Sequence, residues 1–107
     1  MSKTDIIDRL FALIDSRKGG DPKASYVAKL HGKGVRKIAE KMGEEAIETV
    51  AAAVAGDRRE IAEEAADLLF HLLVLLSAAG VTLDDVRAEL SRREGKSGIE
   101  EKKSRKE

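Results

Sequence analysis

The segment from Leu68 to Leu76 is apolar at nearly every position, and His71 is its one polar residue. A helix that is apolar on all faces has to be buried on all sides. The chain has 107 residues, and one copy of that length can hardly enclose such a helix. The segment therefore predicts a homodimer, or a dimer of dimers, that is assembled around this helix.

The composition is typical of an all-helical protein. The chain is rich in the strong helix formers Ala, Leu, Glu, Lys and Arg, and it contains one Pro. It contains no Cys, which excludes disulfides and thiolate metal sites. The 20 Lys and Arg residues balance 20 Asp and Glu residues, and aromatic residues make up 3% of the chain, so nucleic acid is not an expected partner. No apolar run is long enough for a secretory signal or a membrane span, so we expect a cytoplasmic protein without a membrane partner.

Apolar periodicity and turn residues predict a bundle of about five helices. The predicted helices cover residues 5–16, 25–31, 35–55, 57–79 and 82–93. Gly56 is expected to end the third helix, and Asp57 and Glu60 to form a capping box at the start of the fourth. Residues 1–93 thus form one all-α domain. Residues 94–107 are charged and contain one apolar residue, Ile99, which predicts a disordered tail.

Two acidic clusters on the third and fourth helices are the main candidates for a functional site. They contain Glu44, Glu45 and Glu48 on one helix and Glu63, Glu64 and Asp67 on the other. In an antiparallel hairpin Glu45 lies level with Asp67, and Glu48 lies level with Glu64. Crowded carboxylates repel each other, and an all-oxygen cluster suits Mg²⁺ or Mn²⁺. Two solvated acidic faces give the same pattern, and helix rotation decides between the two interpretations.

Basic and aromatic residues accompany the acidic residues. The lysines are Lys29, Lys33, Lys37 and Lys41. In the helical pairs Lys precedes Glu, which is the less favourable order, so a phosphate-binding role is a hypothesis beside that of ordinary surface lysines. His71 lies one turn after Asp67 and could contact a substrate or be a satisfied core or interface residue. Tyr26 could stack on a base or staple the short helix.

These motifs resemble the phosphoribosyl-ATP pyrophosphohydrolase family, one of the all-helical nucleoside triphosphate pyrophosphohydrolases. The pattern E-E-x-x-E followed by E-x-x-D is matched by Glu44, Glu45 and Glu48 and by Glu64 and Asp67. The stretches GDPKASYVAKLHGKG, KIAEKMGEEAIET and EEAADLLFHLLVLL are more specific for this family. The resemblance covers about residues 4–93. The family often has Thr, Leu and Tyr at the positions of Val27, His31 and Phe70.

The resemblance implies Mg²⁺-dependent hydrolysis of phosphoribosyl-ATP to phosphoribosyl-AMP and pyrophosphate, the second step of histidine biosynthesis. It implies a metal site formed by Glu45, Glu48, Glu64 and Asp67, with Mn²⁺ as an alternative ion. The implied catalytic residues are Glu44, Glu45 and Glu48, with Glu44 activating water or serving as an extra ligand. The implied substrate-binding residues are Lys29, Lys33, Lys41 and His71. Two alternatives remain: a house-cleaning hydrolase of another nucleoside triphosphate, and a non-enzymatic helical dimerisation module.

Overall fold

The computed structural model describes residues 5–95 and 98–105, and every regular element within these ranges is an α-helix. The helices are α1 (Ile6–Ser16), α2 (Tyr26–Lys33), α3 (Val35–Ala55), α4 (Arg58–Ala79), α5 (Leu83–Arg93) and α6 (Gly98–Arg105). The predicted all-α fold is confirmed. The five helices expected before residue 94 are present, and α2 continues two residues past its predicted end.

The antiparallel pair of α3 and α4 forms the centre of the fold. Gly56 ends α3 with φ at +79°, a left-handed conformation that glycine adopts without the steric cost of a Cβ. The side chain of Asp57 accepts hydrogen bonds from the backbone N–H groups of Arg59 at 3.0 Å and Glu60 at 3.2 Å, and α4 begins there. This sharp reversal makes α3 and α4 neighbours along their whole length.

A small apolar core fixes the other helices against this hairpin. Its fully buried members are Ile14 of α1, Leu30 of α2, Ile38 of α3, and Leu73 and Val74 of α4. The ring of His31 in α2 donates a hydrogen bond to the carbonyl oxygen of Ile14, with 3.3 Å between Nε2 and the oxygen. The core therefore packs both α1 and α2 against the α3–α4 hairpin.

The apolar segment of α4 is not fully covered in a single chain. Leu73 and Val74 are buried, but Leu69 keeps 36% of its surface exposed and Leu68 and Leu72 are half-buried. Dimerisation around this helix stays a prediction. Among the described residues no single helix is long and apolar enough to cross a membrane; α4 and α5 meet that test only when taken together across a bend of 111°.

The C-terminal segment differs from its prediction as a disordered tail. Helix α6 covers Gly98–Arg105 of this segment, and three basic residues stand in its last turn, Lys102, Lys103 and Arg105. Basic side chains at a helix C-terminus interact favourably with the helix dipole, and this local effect needs no apolar face. The expectation for residues 96–97 and 106–107 lies outside the described ranges. That residues 94–107 are separate from the domain stays a prediction.

A buried hydroxyl group in α4 holds the last turn of α1. Ser77 is 1% exposed, and its Oγ donates a hydrogen bond of 2.6 Å to Oδ1 of Asp15. Lys18 Nζ lies 3.5 Å from the same oxygen. The bond from Ser77 is the largest cause that lowers the pKa of Asp15 below its ordinary value of 3.8, and Lys18 adds to it. The folded state therefore binds a proton at Asp15 less readily than the unfolded chain does.

We expect Ser77→Ala to lower the free energy of unfolding near neutral pH by about 1–2 kcal/mol, because it removes a partly buried hydrogen bond to a carboxylate. The lowered pKa of Asp15 stabilises the folded state above the ordinary value of 3.8, and this contribution is lost as the pH falls through the folded pKa. The difference between wild type and variant should therefore shrink in acid.

Urea unfolding at one protein concentration, at about pH 7 and about pH 3, measures this difference. Ser91→Ala is the matched control, since Ser91 is an exposed serine in α5. A loss of stability in Ser77→Ala that is equally large at both pH values would contradict the assignment.

Candidate active site

The acidic residues of α3 and α4 come together because Thr49 joins the two helices at their height. Its Oγ1 donates one hydrogen bond that is shared between the carbonyl oxygen of Glu45 in its own helix, at 2.8 Å, and the carbonyl oxygen of Glu64 in α4, at 3.2 Å. Thr49 is next to Glu48 in the sequence, so the contact places Glu48 and Glu64 level across the hairpin. This is the register that the turn at residues 56–57 predicts.

Three carboxylates form a compact cluster at this height. One carboxylate oxygen each of Glu45, Glu48 and Glu64 lies within 4.8 Å of the others. Glu45 is 7% exposed, Glu64 is half-buried and Glu48 is exposed. Two buried oxygens, Glu45 Oε1 and Glu64 Oε1, have no hydrogen-bond partner among the described residues. A buried carboxylate oxygen without a partner carries a full desolvation cost, so contacts within the described chain do not account for this cluster.

The burial and the negative charges of the cluster change the pKa of Glu64. Burial is the main cause that raises the pKa of Glu64 above its ordinary value of 4.5. A hydrogen bond with Glu48 and the negative charges of Glu48, Asp67 and Glu45 raise the pKa further. Crowded carboxylates of this kind favour whatever positive charge reduces their repulsion, either a proton or a cation. Because all the donors are oxygens, a hard divalent cation fits the cluster.

The structure brings three of the four predicted metal ligands together. Asp67 is exposed and is not part of the group of three close oxygens, although its charge acts on Glu64. Asp67 as a fourth ligand stays a prediction. Glu44 is also exposed and outside the group, which is compatible with its predicted role in water activation and does not test it.

Lys41 is the predicted substrate-binding lysine that contacts the cluster directly. Its Nζ lies 3.7 Å from Oε1 of Glu44 and 3.7 Å from Oε2 of Glu45. Glu44 is the largest cause that raises the pKa of Lys41 above its ordinary value of 10.5, followed by the oxygen of Tyr26. Lys41 therefore stays cationic at the edge of the carboxylates, where an ammonium group can bind phosphate oxygens.

The other two predicted phosphate-binding lysines lie on α2. Lys29 and Lys33 are exposed, and within the described ranges neither forms an ion pair. Their spacing of three and seven residues from Tyr26 puts them on the same face of α2 as that ring. The described contacts link α2 to the acidic segment of α4 through Tyr26 and His71. Phosphate binding by the two lysines stays a prediction.

His71 connects α2 to the acidic segment of α4. It is 5% exposed, and its Nδ1 lies 2.8 Å from the carbonyl oxygen of Asp67. A carbonyl oxygen only accepts, so Nδ1 carries the proton, and in a neutral ring Nε2 is an acceptor. The hydroxyl group of Tyr26 lies 3.4 Å from Nε2 and can donate to it. Both ring nitrogens of His71 thus have protein partners, which favours the interpretation as a satisfied buried residue; direct contact with a substrate stays a prediction.

Two residues of this site are missing from the predicted set. Nothing in the sequence marks Thr49, except that it follows Glu48, which the hairpin register places level with Glu64. Phe70 stacks on Tyr26 with 6.3 Å between ring centroids and an interplanar angle of 17°, and meets His71 edge-on at 5.2 Å. In the sequence Phe70 is one apolar residue within an apolar run, and only the structure shows that it supports the ring of Tyr26.

Comparisons with known proteins agree on one family. The family model described as phosphoribosyl-ATP pyrophosphohydrolase matches residues 7–94. A phosphoribosyl-ATP pyrophosphatase from Novosphingobium aromaticivorans is 62% identical over 105 residues, which cover 98% of each chain. A relative of the same name from Rhizorhabdus wittichii is 60% identical over 102 residues, which cover 95% of this chain and 96% of that protein. Another from Paracoccus denitrificans is 59% identical over 100 residues, which cover 94% of this chain and 93% of that protein. The matched region includes every acidic residue of the site, and the chain therefore belongs to the phosphoribosyl-ATP pyrophosphohydrolase family.

Proposed function

We propose that this enzyme hydrolyses phosphoribosyl-ATP to phosphoribosyl-AMP and pyrophosphate, with Mg²⁺ bound at the acidic cluster, in the second step of histidine biosynthesis. The substrate and the reaction come from the names of its relatives. The observation that carries the metal site is the pair of buried oxygens without partners, Glu45 Oε1 and Glu64 Oε1, inside a group of three carboxylates. Because the substrate is a derivative of ATP, we place the reaction in the cytoplasm.

The donor set fits the proposed cation. Glu45, Glu48 and Glu64 would hold Mg²⁺, with Asp67 as the proposed fourth ligand and Mn²⁺ as an alternative ion. When bound, the ion would offset negative charge on the phosphate oxygens and on the departing pyrophosphate.

The side chains around the cluster supply the other requirements of the reaction. Water adds to phosphorus, the bond between the α-phosphate and the β-phosphate breaks, and the pyrophosphate group leaves. Glu44 is exposed and outside the group of three oxygens, so its carboxylate is available to accept a proton from the attacking water. Lys41, together with Lys29 and Lys33, would bind phosphate oxygens. His71 would help to position the backbone of Asp67 through its hydrogen bond to the Asp67 carbonyl oxygen.

The proposed assembly is a homodimer or a dimer of dimers. Three apolar residues of α3, Ile47, Val50 and Val54, are 70%, 62% and 83% exposed and recur at helical spacing. On α4 Leu69 is 36% exposed. An exposed apolar stripe such as that on α3 is typical of a surface that is buried by another protein chain.

We expect Glu48→Gln to lower the turnover of phosphoribosyl-ATP by about 100- to 1,000-fold, because it removes one ligand charge without changing the shape of the side chain. The melting temperature of the metal-free protein should stay equal or rise, since repulsion between carboxylates is reduced. Pyrophosphate release and thermal unfolding in EDTA measure the two effects.

Glu63→Gln is the matched control, because Glu63 is an exposed glutamate of α4 that pairs with Arg59 at 3.3 Å, outside the cluster. This control should keep its activity. Near-normal activity in Glu48→Gln would reject the metal site. Loss of activity through unfolding alone would show that these carboxylates are structural.

We expect sedimentation equilibrium at micromolar concentration to give at least twice the chain mass of 11.6 kDa. Val50→Glu puts a charge into the exposed stripe and should shift the mass toward that of one chain. Leu13→Glu, which changes an exposed leucine of α1, is the control. A wild-type mass near 11.6 kDa would contradict the proposed assembly.

A further inference from the structure

We infer that Tyr26 recognises the purine base of the substrate, with its ring as a stacking surface beside the acidic cluster. The inference rests on the proposed function, because it requires a nucleotide whose phosphates are bound at that cluster. It assigns a contact to a part of the substrate that the proposed roles of the carboxylates and lysines leave unassigned.

Few aromatic side chains in this protein could stack on a base. The chain contains one Tyr, two Phe and no Trp. Phe11 and Phe70 are partly buried and pack against the core, whereas Tyr26 is 53% exposed. Every base has a flat π-face, and stacking on an aromatic ring is the common way to bind it without many hydrogen bonds. Among these three rings only Tyr26 has half of its surface available for a base.

The ring of Tyr26 is held in place by its neighbours on α4. Phe70 lies beside it in a near-parallel arrangement, with 6.3 Å between the ring centroids and 17° between the ring planes. The hydroxyl group lies 3.4 Å from Nε2 of His71, and the His71 ring stands nearly perpendicular to the Tyr26 ring at 83°. These neighbours leave Tyr26 53% exposed. A ring that is already fixed loses little freedom when a ligand binds to it.

The position of the ring also fits a nucleotide. His71 joins Tyr26 to the backbone of Asp67, which is three residues from Glu64 of the carboxylate cluster. From α3, Lys41 contacts Glu45 of the same cluster. The ring thus lies at the edge of the proposed phosphate site, where a base attached to bound phosphates is expected.

Two variants separate a stacking role from a structural staple between α2 and α4. Tyr26→Phe keeps the ring and loses the hydroxyl group, while Tyr26→Leu keeps apolar bulk and loses the ring. We expect Tyr26→Leu to lower kcat/KM for phosphoribosyl-ATP by about 5- to 150-fold, mainly through a higher KM, because the base does not take part in the reaction. Tyr26→Phe should stay within about threefold of wild type, because a hydrogen bond of 3.4 Å is long and weak. Thermal unfolding of both variants shows whether either one loses the fold.

A second measurement uses the wild-type protein and does not depend on turnover. The chain has a single Tyr, so the ring protons of Tyr26 form one identifiable set of NMR signals. Titration with the product, phosphoribosyl-AMP, should shift these signals through the ring current of the stacked base. Tripolyphosphate, which has phosphates and no base, should leave them nearly unchanged.

The two measurements together decide the inference. A folded Tyr26→Leu variant with kcat/KM within about twofold of wild type would overturn it. Ring signals that phosphoribosyl-AMP does not move would also overturn it, whether or not the leucine variant folds. Failure of the proposed function is a different result: the wild type releases no pyrophosphate from phosphoribosyl-ATP, and the ring shift alone then decides whether Tyr26 binds an adenine nucleotide.

Discussion

Repulsion between the carboxylates of Glu45, Glu48 and Glu64 is the constraint on which the rest of this structure depends. One oxygen of each of the three carboxyl groups lies within 4.8 Å of the others, and two buried oxygens of the group lack hydrogen-bond partners among the described residues. Without opposing interactions the two long helices would move apart or rotate to expose these side chains. The structure therefore has to hold α3 and α4 in one register and one rotation.

Different parts of the chain provide these two restraints. The turn at Gly56 and Asp57 and the bridge from Thr49 to the Glu64 carbonyl oxygen set the register. The rotation is set by burial, since Ile38 of α3 packs into the same core as Leu73 and Val74 of α4. The binding free energy of a cation would offset the repulsion that remains, because it binds the folded arrangement and has no such site in the unfolded chain.

The sequence predicts most of the fold because local signals mark most of the boundaries. Of the capping box predicted at Asp57 and Glu60, the described contacts form the Asp57 half, whereas Thr82 and Asp85 form a complete capping box at the start of α5. The end of α2 is less well predicted, because the sequence predicts it at residue 31 and α2 continues through Gly32 to Lys33. In the C-terminal segment, low apolar content predicted disorder, whereas charge and helix propensity favour a short helix there.

The sequence predicts the height of the candidate site along α3 and α4, but it does not predict how the two helices are rotated about their axes. Counting residues from the turn shows that Glu48 and Glu64 lie at one height, and the structure confirms it. The same count puts Glu45 level with Asp67, yet Glu45 is buried in the cluster and Asp67 is exposed. Which carboxylates converge depends on how α1 and α2 pack against the hairpin, and a single sequence carries no record of that packing. The same holds for Tyr26, whose support by Phe70 and His71 exists only in the folded chain.

The most direct test of the account is the dependence of thermal stability on Mg²⁺. The protein is first stripped of metal with EDTA, and its melting temperature is then measured in increasing MgCl₂ at constant ionic strength. A cation that binds the folded cluster should raise the melting temperature steadily with the logarithm of the Mg²⁺ concentration, and Glu45→Gln should remove most of that rise. A wild-type melting temperature that is independent of Mg²⁺ would contradict the claim that this carboxylate cluster is a cation site.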